Sequence, residues 1–576
     1  MRERWCLRAG DREAEQKLER ELGVTPLLAR LLVQRGIREP DEAALFLHPR
    51  LSAGLRSPFL FRHMERAAQR IAEALEKGET IAIFGDYDVD GVAGTALLYD
   101  FLCDLGASLL VHIPDRKTEG YGLNIPAIQD LAQQGAKVLI TVDCGGASHE
   151  EITAARELGM DVVICDHHQV PRQPLPALAA LNPVAPDAGF PFTGLCGAGV
   201  AFYLALGIRA RLRERGRERA PDLRQALDLV ALGTIADVVP LVEENRVLVA
   251  HGLQQLRAAV RPGIAALKAV AGVQHLDSSA IAFRITPRLN AGGRMRHARE
   301  AFDLLTAREA GRALELAQLL DQANRERQSV EREILREVLA RCRADPELGE
   351  RAGLVFASEE WHAGVIGIVA ARVVERLHRP TAVIAVDTES GVGRGSVRCV
   401  AGWNAYAALR DCAELLLGFG GHPMAAGLTI AADRIEDFSF AFDQAIRRQK
   451  PSSPVRTEWA DAELSLEHVS EETWRDLQLL EPFGAGNPEP VFFARGVELR
   501  AFQPFGSEHY RGFLVQGGRS WPALAFRWPD ANLPLAEGLY DVLYRLDLAS
   551  SNGLSPARLV LLAARPASTE RSLLSA

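Results

Sequence analysis

Short apolar runs alternate with helical patterns between Gly78 and Asn182. The runs are Thr80–Phe84, Leu109–Ile113, Val138–Val142 and Asp161–Cys165, each rich in Val, Ile and Leu. Between them, Gly94–Leu105, Pro126–Gly135 and His149–Leu158 carry apolar residues at helical spacing. Continuous apolar strands interleaved with helices predict β-α-β units around a buried parallel sheet. Residues Leu223–Leu305 read as mostly helical, with turns at Pro262-Gly263 and Gly292-Gly293. Ala307–Arg343 has no proline, one glycine near its start (Gly311), and dense Leu, Glu, Arg and Gln. It predicts one helix, on the order of 50 Å long, of the kind that bridges domains.

A second α/β unit follows, with strands near Gly353–Phe356 and Thr381–Val386 around a helix Gly364–Leu377. Gln449–Pro454 is polar and rich in Pro and Ser, which suits a linker. After Pro490 the pattern changes to short strands with Gly-containing turns: Val491–Phe493, Gly512–Val515, Ala523–Phe526, Asp541–Leu546 and Ala557–Leu562. These predict a small β-barrel. Near the start, Thr25–Phe46 looks amphipathic. The expected organisation is a helical cap over 1–70, a parallel-sheet α/β domain over 71–305, and a connecting helix over 306–345. A second α/β domain over 346–450 and a linker with the β-barrel over 451–576 complete it.

Length changes little in this picture: 576 residues are too many for one core. Hydrophobic content of 48% and charged content of 24% are those of a globular protein. No run of about twenty apolar residues occurs, and Met1 to Arg12 lacks the apolar segment of a secretory signal. The eight cysteines are scattered without a C-x-x-C pair, which argues against structural zinc and disulfides and for a reducing cytosol. A net charge of −9 argues against a broad basic face for duplex DNA.

The acids change the picture most. The first strand runs into Gly85-Asp86-Tyr87-Asp88-Val89-Asp90-Gly91, the third ends in Asp143, and the fourth in Asp166-His167-His168. In open α/β sheets the ligand crevice lies at the carboxyl ends of the strands, so these side chains converge there. Carboxylates packed so closely repel one another unless cations separate them. Carboxylates with imidazole suit Mn²⁺, and carboxylates alone suit Mg²⁺. Two such ions activate water and stabilise a leaving oxygen. Asp237, in Gly233-Thr234-Ile235-Ala236-Asp237, is a further candidate from the helical layer. Each segment alone has an ordinary reading. Asp86-x-Asp88-x-Asp90-Gly91 starts like a calcium-binding loop, but its twelfth position is Leu97 rather than Glu. Asp143-Cys144-Gly145 reads as a plain strand-to-helix turn, and adjacent histidines on a strand point opposite ways. The four segments together make those readings poor.

These segments resemble the DHH phosphoesterase superfamily. Further motifs are similar to those of its RecJ family of single-strand-specific 5′→3′ exonucleases. They are Ile113-Pro114-Asp115-Arg116 with Glu119-Gly120-Tyr121-Gly122, Pro287-Arg288-Leu289-Asn290-Ala291-Gly292-Gly293-Arg294, and Trp361-His362-Ala363-Gly364-Val365-Ile366-Gly367. Gly420-Gly421-His422-Pro423-Met424-Ala425-Ala426-Gly427 resembles a DHHA1 motif, and Glu481-Pro482-Phe483-Gly484 with Gly486-Asn487-Pro488 resembles a RecJ segment. The resemblance implies a DHH domain, a DHHA1 domain and a C-terminal OB fold. It implies metal ligation by Asp88, Asp90, Asp143, His167 and Asp237, with Asp86 supporting them. His168 and Arg294 would stabilise charge on the phosphoryl oxygens, and a 5′-mononucleotide would leave.

It further implies a 5′-phosphate pocket from Gly395-Ser396-Val397-Arg398 with Arg116 and Arg294, and DNA contacts from Arg288, Gly421 and His422. Arg394 and Arg398 could equally sit on a strand and face solvent. Cys399 stands where the family usually has Ser, which would weaken the pocket slightly if that hydroxyl bound the end. In the β-barrel, Tyr510 and Arg511 lead the candidates for stacking and charge, followed by His509, Phe513 and Trp521. Ala549-Ser550-Ser551-Asn552-Gly553 departs from the family's usual turn. Single-strand preference would follow if the metals lay in a gap too narrow for a duplex. The resemblance implies single-stranded DNA as substrate, no membrane, and a single-stranded DNA-binding protein and a RecQ-type helicase as partners in DNA repair and recombination.

Two other readings compete. Another DHH phosphodiesterase, such as a nanoRNase, a cyclic-dinucleotide hydrolase or a pyrophosphatase, would lack the Glu481–Pro488 segment and the barrel. A non-catalytic Cdc45-like scaffold would have lost metal ligands that this sequence retains.

Overall fold

A computed structural model describes residues 3–171, 173–217, 220–449, 456–505, 509–526, 538–547, 558–567 and 574–575. The linker residues 450–454 and the turn at 549–553 lie outside the described residues. The chain forms two compact units. One comprises Met1–Ile113, Gly122–Thr286 and Val455–Ala576, and the other Pro114–Tyr121 and Pro287–Pro454.

The first unit contains the parallel sheet. Its strands are Ser108–His112, Thr80–Gly85, Ala136–Val142, Asp161–Cys165 and Ala179–Leu181, in that spatial order. All four pairings are parallel. The interior strands are buried along nearly their whole length, as their unbroken Val/Ile/Leu runs require. The fifth strand gave no sequence signal, because three residues, Ala-Ala-Leu, are too few to show a period. Helices Met64–Lys77, Val89–Asp104 and Gly197–Glu214 are among those covering the sheet.

The same unit holds the barrel. Strands Phe492–Phe505, His509–Gln516, Arg519–Ala525, Arg558–Pro566 and Gly538–Asp547 pair in sequence around it. Pairing of the first with the last closes it, which leaves no long edge exposed. The N-terminal segment is not helical throughout. Glu3–Leu7 is a strand paired in parallel with Arg456–Ala460. The helices that follow share one hydrophobic core with the barrel: Leu18, Leu28, Leu32 and Phe46 pack with Leu466, Phe492, Leu514 and Val542.

The second unit is built on a five-stranded sheet in the order Gly418–Gly421, Ala425–Ala431, Val392–Arg398, Thr381–Asp387, Leu354–Ser358. Only the last pair is parallel. The long helix Ala310–Ala344 has 35 residues and spans about 50 Å. Its Ile334 and Val338 pack on Leu354, Phe356 and Val383.

Two expected turns are corrected. Pro262 opens the helix Pro262–Val270, where its missing N–H costs nothing. Gly292 and Gly293 lie inside the helix Thr286–Met295. A Cβ on Gly292 would stand 3.0 Å from Leu320, so the residue is small because the long helix packs there.

Candidate metal centre and strand-end cleft

The hydrogen-bond ladder of the parallel sheet continues one residue beyond three adjacent strands. Asp86 N–H donates to Val142 O (3.1 Å), Asp143 N–H to Cys165 O (2.8 Å) and Asp166 N–H to Leu181 O (3.1 Å). Gly85, Val142 and Cys165 are paired in register, so the three acids that follow stand side by side. Sequence separation is thereby converted into contact.

Each further acid is set by a local device. Asp88 caps the helix Val89–Asp104, and its Oδ1 accepts the N–H of Asp90 (3.0 Å) and of Gly91 (3.2 Å). Asp90 accepts the N–H of Gly197 (2.6 Å) and of Ala198 (2.9 Å), the opening residues of the helix Gly197–Glu214. A carboxylate there faces the positive end of that helix. Gly233 gives it room: a Cβ on that residue would lie 2.4 Å from Asp90 Oδ1. Asp237 terminates the helix Leu227–Ala236. An acid at the negative end of a helix is unfavourable, which suits a residue kept for another purpose.

The histidines fall past the end of their strand, so the alternation of a strand does not separate them. Their rings lie 4.5 Å apart. His167 Nε2 is 3.1 Å from Asp143 Oδ1, 3.6 Å from Asp237 Oδ2 and 3.8 Å from Asp90 Oδ2. It is buried and makes no hydrogen bond among the described residues. A nitrogen surrounded by three carboxylates and bonded to none fits a ligand for a cation. Three groups have donor atoms within 4.8 Å of one another: Asp90, His167 and Asp237; Asp143, His167 and His168; Asp86, Asp88 and Asp143. Oxygen donors with imidazole suit hard to borderline divalent ions.

The electrostatics agree. Burial and then the charges of Asp90, Asp88, Asp86 and Asp166 push Asp143 well above the carboxylate range. Burial, Asp90 and Asp88 push Asp237 up to about 8. Burial raises Asp90 as well, although His167 opposes it. Burial lowers His167, with Asp90 opposing. His168 goes the other way: burial disfavours its charge, but the bond to Asp166 and the surrounding carboxylates raise its pKa. Asp143 also sits at φ 63°, a left-handed conformation uncommon outside glycine, and Val238, beside Asp237, at φ 59°. Such outliers gather at functional sites.

The sequence assigned no role to Asp166. It accepts N–H groups of Gly146 (2.7 Å), His167 (2.7 Å) and His168 (3.1 Å) and the Nδ1–H of His168 (2.8 Å), and so organises the whole loop.

A cleft of about 1000 Å³ lies in the second unit, and Arg116, Lys117, Arg294, His362, Ser396 and Arg398 are among its lining residues. Arg394, Ser396 and Arg398 alternate along one strand and so share a face, with Val397 buried on the other. Arg398 is half-buried and its Nη1 donates to Ser396 Oγ (2.7 Å). Burial and the neighbouring charge of Arg116 lower its pKa. Among the described residues no carboxylate pairs with it. The charge of Arg116 reaches Arg398, and such cationic crowding favours an anionic ligand. Gly367 makes space, since a Cβ there would lie 3.1 Å from Ser396 Oγ and 3.2 Å from Arg398 Nη2. Cys399 faces away into the hydrophobic core, so a Ser there has no bearing on this cleft; burial pushes its thiol up to about 12.

Gly421 also lines the cleft, and His422 follows it at the turn of the Gly418–Gly421 hairpin. Arg288 is not among the lining residues. Its Nε donates to Asp321 at 2.8 Å on the long helix, where both side chains are largely buried. In the barrel, Arg511 and Phe513 line a separate groove of about 450 Å³. Tyr510 and Trp521 pack against the core, and Trp521 Nε1–H donates to Leu466 O (3.2 Å).

Three family models match this chain: the DHH family N-terminal domain over residues 80–234, the DHHA1 domain over 351–448 and the RecJ OB domain over 460–562. It is 36% identical over 567 residues to the single-stranded-DNA-specific exonuclease RecJ of Dickeya dadantii, covering 93% of this chain and 95% of that one. It is 37% identical to the RecJ of Bacillus subtilis, with 88% of this chain matched to 63% of that protein. The crystal structure of Thermus thermophilus RecJ in complex with Mn²⁺ superposes with a TM-score of 0.83 at 32% identity, covering 99% of this chain and 80% of the other. A second structure of that protein, in complex with Mg²⁺, gives 0.78. With the acids aligned at the strand ends and these matches running nearly end to end, the chain belongs to the RecJ family.

Proposed function

We propose that this protein is a single-stranded-DNA-specific exonuclease that works from the 5′ end and releases 5′-mononucleotides. The observation that carries the reading is the set of five ligand side chains around His167 Nε2 and Asp143. Asp88, Asp90, Asp143, His167 and Asp237 would hold two divalent ions, Mn²⁺ or Mg²⁺. When bound, such ions activate water and neutralise charge on the reacting phosphate. Asp86 and Asp166 keep the ligands and the histidine loop in place. His168, whose Nδ1–H is held by Asp166 and whose pKa that contact raises, stabilises charge on a phosphoryl oxygen.

The reaction is hydrolysis. Water adds its oxygen to the phosphorus between the first and second nucleotides, the bond from that phosphorus to the first nucleotide's 3′ oxygen breaks, and this oxygen takes up a proton. The remaining strand again carries a 5′-phosphate. A cleft with Arg116, Arg294, Ser396 and Arg398 therefore meets the same group after every turnover. That recurrence supports its assignment to the strand end, with Gly421 and His422 beside it. Arg511 and Tyr510 on the barrel are proposed to touch the strand further along, and Arg288 to act through its ion pair with Asp321. The division into a DHH domain over 71–305, a DHHA1 domain over 346–450 and an OB domain after 451 is the proposed organisation. No described helix is long and apolar enough to cross a membrane. A cytosolic location, with a single-stranded DNA-binding protein and a RecQ-type helicase as partners in DNA repair and recombination, completes the proposal.

The test is a time course with Mn²⁺ on one oligonucleotide labelled at either end. Immediate release of a labelled mononucleotide from the 5′ end, absent in Asp143→Asn, is expected. Cleavage confined to dinucleotides or cyclic dinucleotides would overturn the substrate assignment.

A further inference from the structure

Gly367 gives the cleft space. His362, in the same segment Trp361–Gly367, has no role in the function described so far, yet it lines the cationic cleft. Its ring is held in one tautomer. Gly364 N–H donates to Nδ1 at 3.1 Å, so in the neutral ring the proton sits on Nε2. Burial, and then the charge of Lys117, lowers the pKa below its ordinary value, so the ring is neutral near pH 7. Among the described residues Nε2 has no hydrogen-bond partner.

Gly364 seats two cleft residues at once. Its carbonyl accepts from Arg294 Nη1 at 3.3 Å while its N–H fixes His362. A Cβ there would stand 2.5 Å from Arg294 O and 3.0 Å from His362 Cε1, so only glycine allows both approaches. The result is a neutral N–H donor among Arg116, Lys117, Arg294 and Arg398, none of which can accept a hydrogen bond. Ser396 Oγ already accepts from Arg398, so its own hydrogen is available to donate as well. The cleft is thus rich in donors, and the carboxylate among its lining residues, Asp387, accepts the N–H groups of Glu389 and Ser390. A terminal phosphate, with three non-bridging oxygens and up to two charges, uses more of them than an internal diester or a hydroxyl does.

We propose that His362 is a specificity-determining residue whose Nε2–H hydrogen-bonds a non-bridging oxygen of the 5′-terminal phosphate. This bond adds to the preference for a phosphorylated end that the proposed function already gives the cleft. This rests on the reading that the cleft receives the 5′ end. Because the enzyme makes a phosphorylated end at each cut, such selection favours strands already being degraded.

The test compares 5′-phosphorylated and 5′-hydroxyl oligonucleotides of one sequence, reading release of the first nucleotide only. His362→Asn can still accept the Gly364 N–H but cannot reach the position of Nε2. His362→Gln can place an amide N–H near it. The Asn variant should lower the phosphate-over-hydroxyl ratio of kcat/KM about tenfold, mainly through KM, as for one lost bond to a charged group. The Gln variant should recover most of the ratio. An equal loss on both substrates, or an unchanged ratio in the Asn variant, would overturn the proposal. Arg398→Ala separates the two layers. If it leaves the ratio unchanged, the cleft does not read the end and the His362 role falls with it. If it collapses the ratio while His362→Asn does not, only the role of His362 is wrong.

Discussion

Asp166 Oδ1 accepts the Nδ1–H of His168 at 2.8 Å, and the same oxygen accepts the backbone N–H of His167 at 2.7 Å. One buried carboxylate thus orients both histidines of the motif. Burial opposes its ionisation, but these bonds and the His168 charge hold its pKa below the ordinary value. Asp166→Asn keeps the shape and removes the charge. Activity should fall on the order of 10–100-fold, as when a group orienting metal-ligating histidines is lost. His168 should also titrate at lower pH, because its raised pKa depends on Asp166. The alkaline limb of the kcat/KM profile should move downward by a measurable fraction of a pH unit. A profile that only drops in height would mean that His168 is not the group titrating there.

At Asp143 the backbone and the side chain make separate demands. The φ of 63° costs an ordinary residue roughly 1–2 kcal/mol, and Asn tolerates it better than Ala. Asp143→Asn and Asp143→Ala should both abolish cleavage. Without metal, the Asn variant should melt above the Ala variant by an amount matching about 1 kcal/mol. Equal melting temperatures, measured by calorimetry in EDTA, would show that the loop relaxes out of the left-handed region.

The parallel sheet was legible because its strands are continuous Val/Ile/Leu runs, a pattern little else produces. The acids at 86, 143 and 166 were legible for the same reason, since the strand ends are visible in the sequence. Chain pattern could not reveal the capture of Asp90 by the backbone of Gly197 and Ala198, which depends on the arrival of a helix more than a hundred residues later. Nor could it separate Arg398, which faces the cleft, from Arg288, which is committed to Asp321. Both are arginines in glycine-containing motifs, and only packing distinguishes them. Gly292-Gly293 misled because glycine pairs mark turns as readily as close helix contacts.

Arg246 marks a different kind of site, one of stability. Its guanidinium is almost wholly buried, lies 3.5 Å over the ring of Phe46, and donates to the carbonyls of Phe46 (2.7 Å), Leu479 (3.2 Å), Leu480 (3.0 Å) and Glu481 (2.8 Å). It ties the N-terminal helices to the Glu481–Pro488 segment. Arg246→Met should destabilise by about 3 kcal/mol, because the carbonyls are left buried without donors. Arg246→Lys should rescue little, since one ammonium cannot reach all four. A denaturant titration showing a loss under about 1 kcal/mol for Met would mean that water replaces the guanidinium.

The last expectation concerns the acid cluster as a proton store. Asp237 titrates near 8 in the metal-free fold and near 3.8 in a free chain. Between those values the folded protein holds a proton that the unfolded chain has lost. Stability from this group is therefore full below about pH 4 and is lost as the pH rises through 8. In EDTA, the stability of the parent relative to Asp237→Asn should accordingly fall from pH 5 to pH 8, which the difference in melting temperature reads directly. Metal reverses the sign, because binding requires the carboxylate and displaces the proton. The rise in melting temperature on adding Mn²⁺ should grow with pH over the same window, and grow less in Asp237→Asn. Calorimetric titration in buffers of different ionisation enthalpy should show proton release on Mn²⁺ binding at pH 7. No release there would mean that Asp237 and Asp143 are already ionised, with the cluster's repulsion borne by the fold itself.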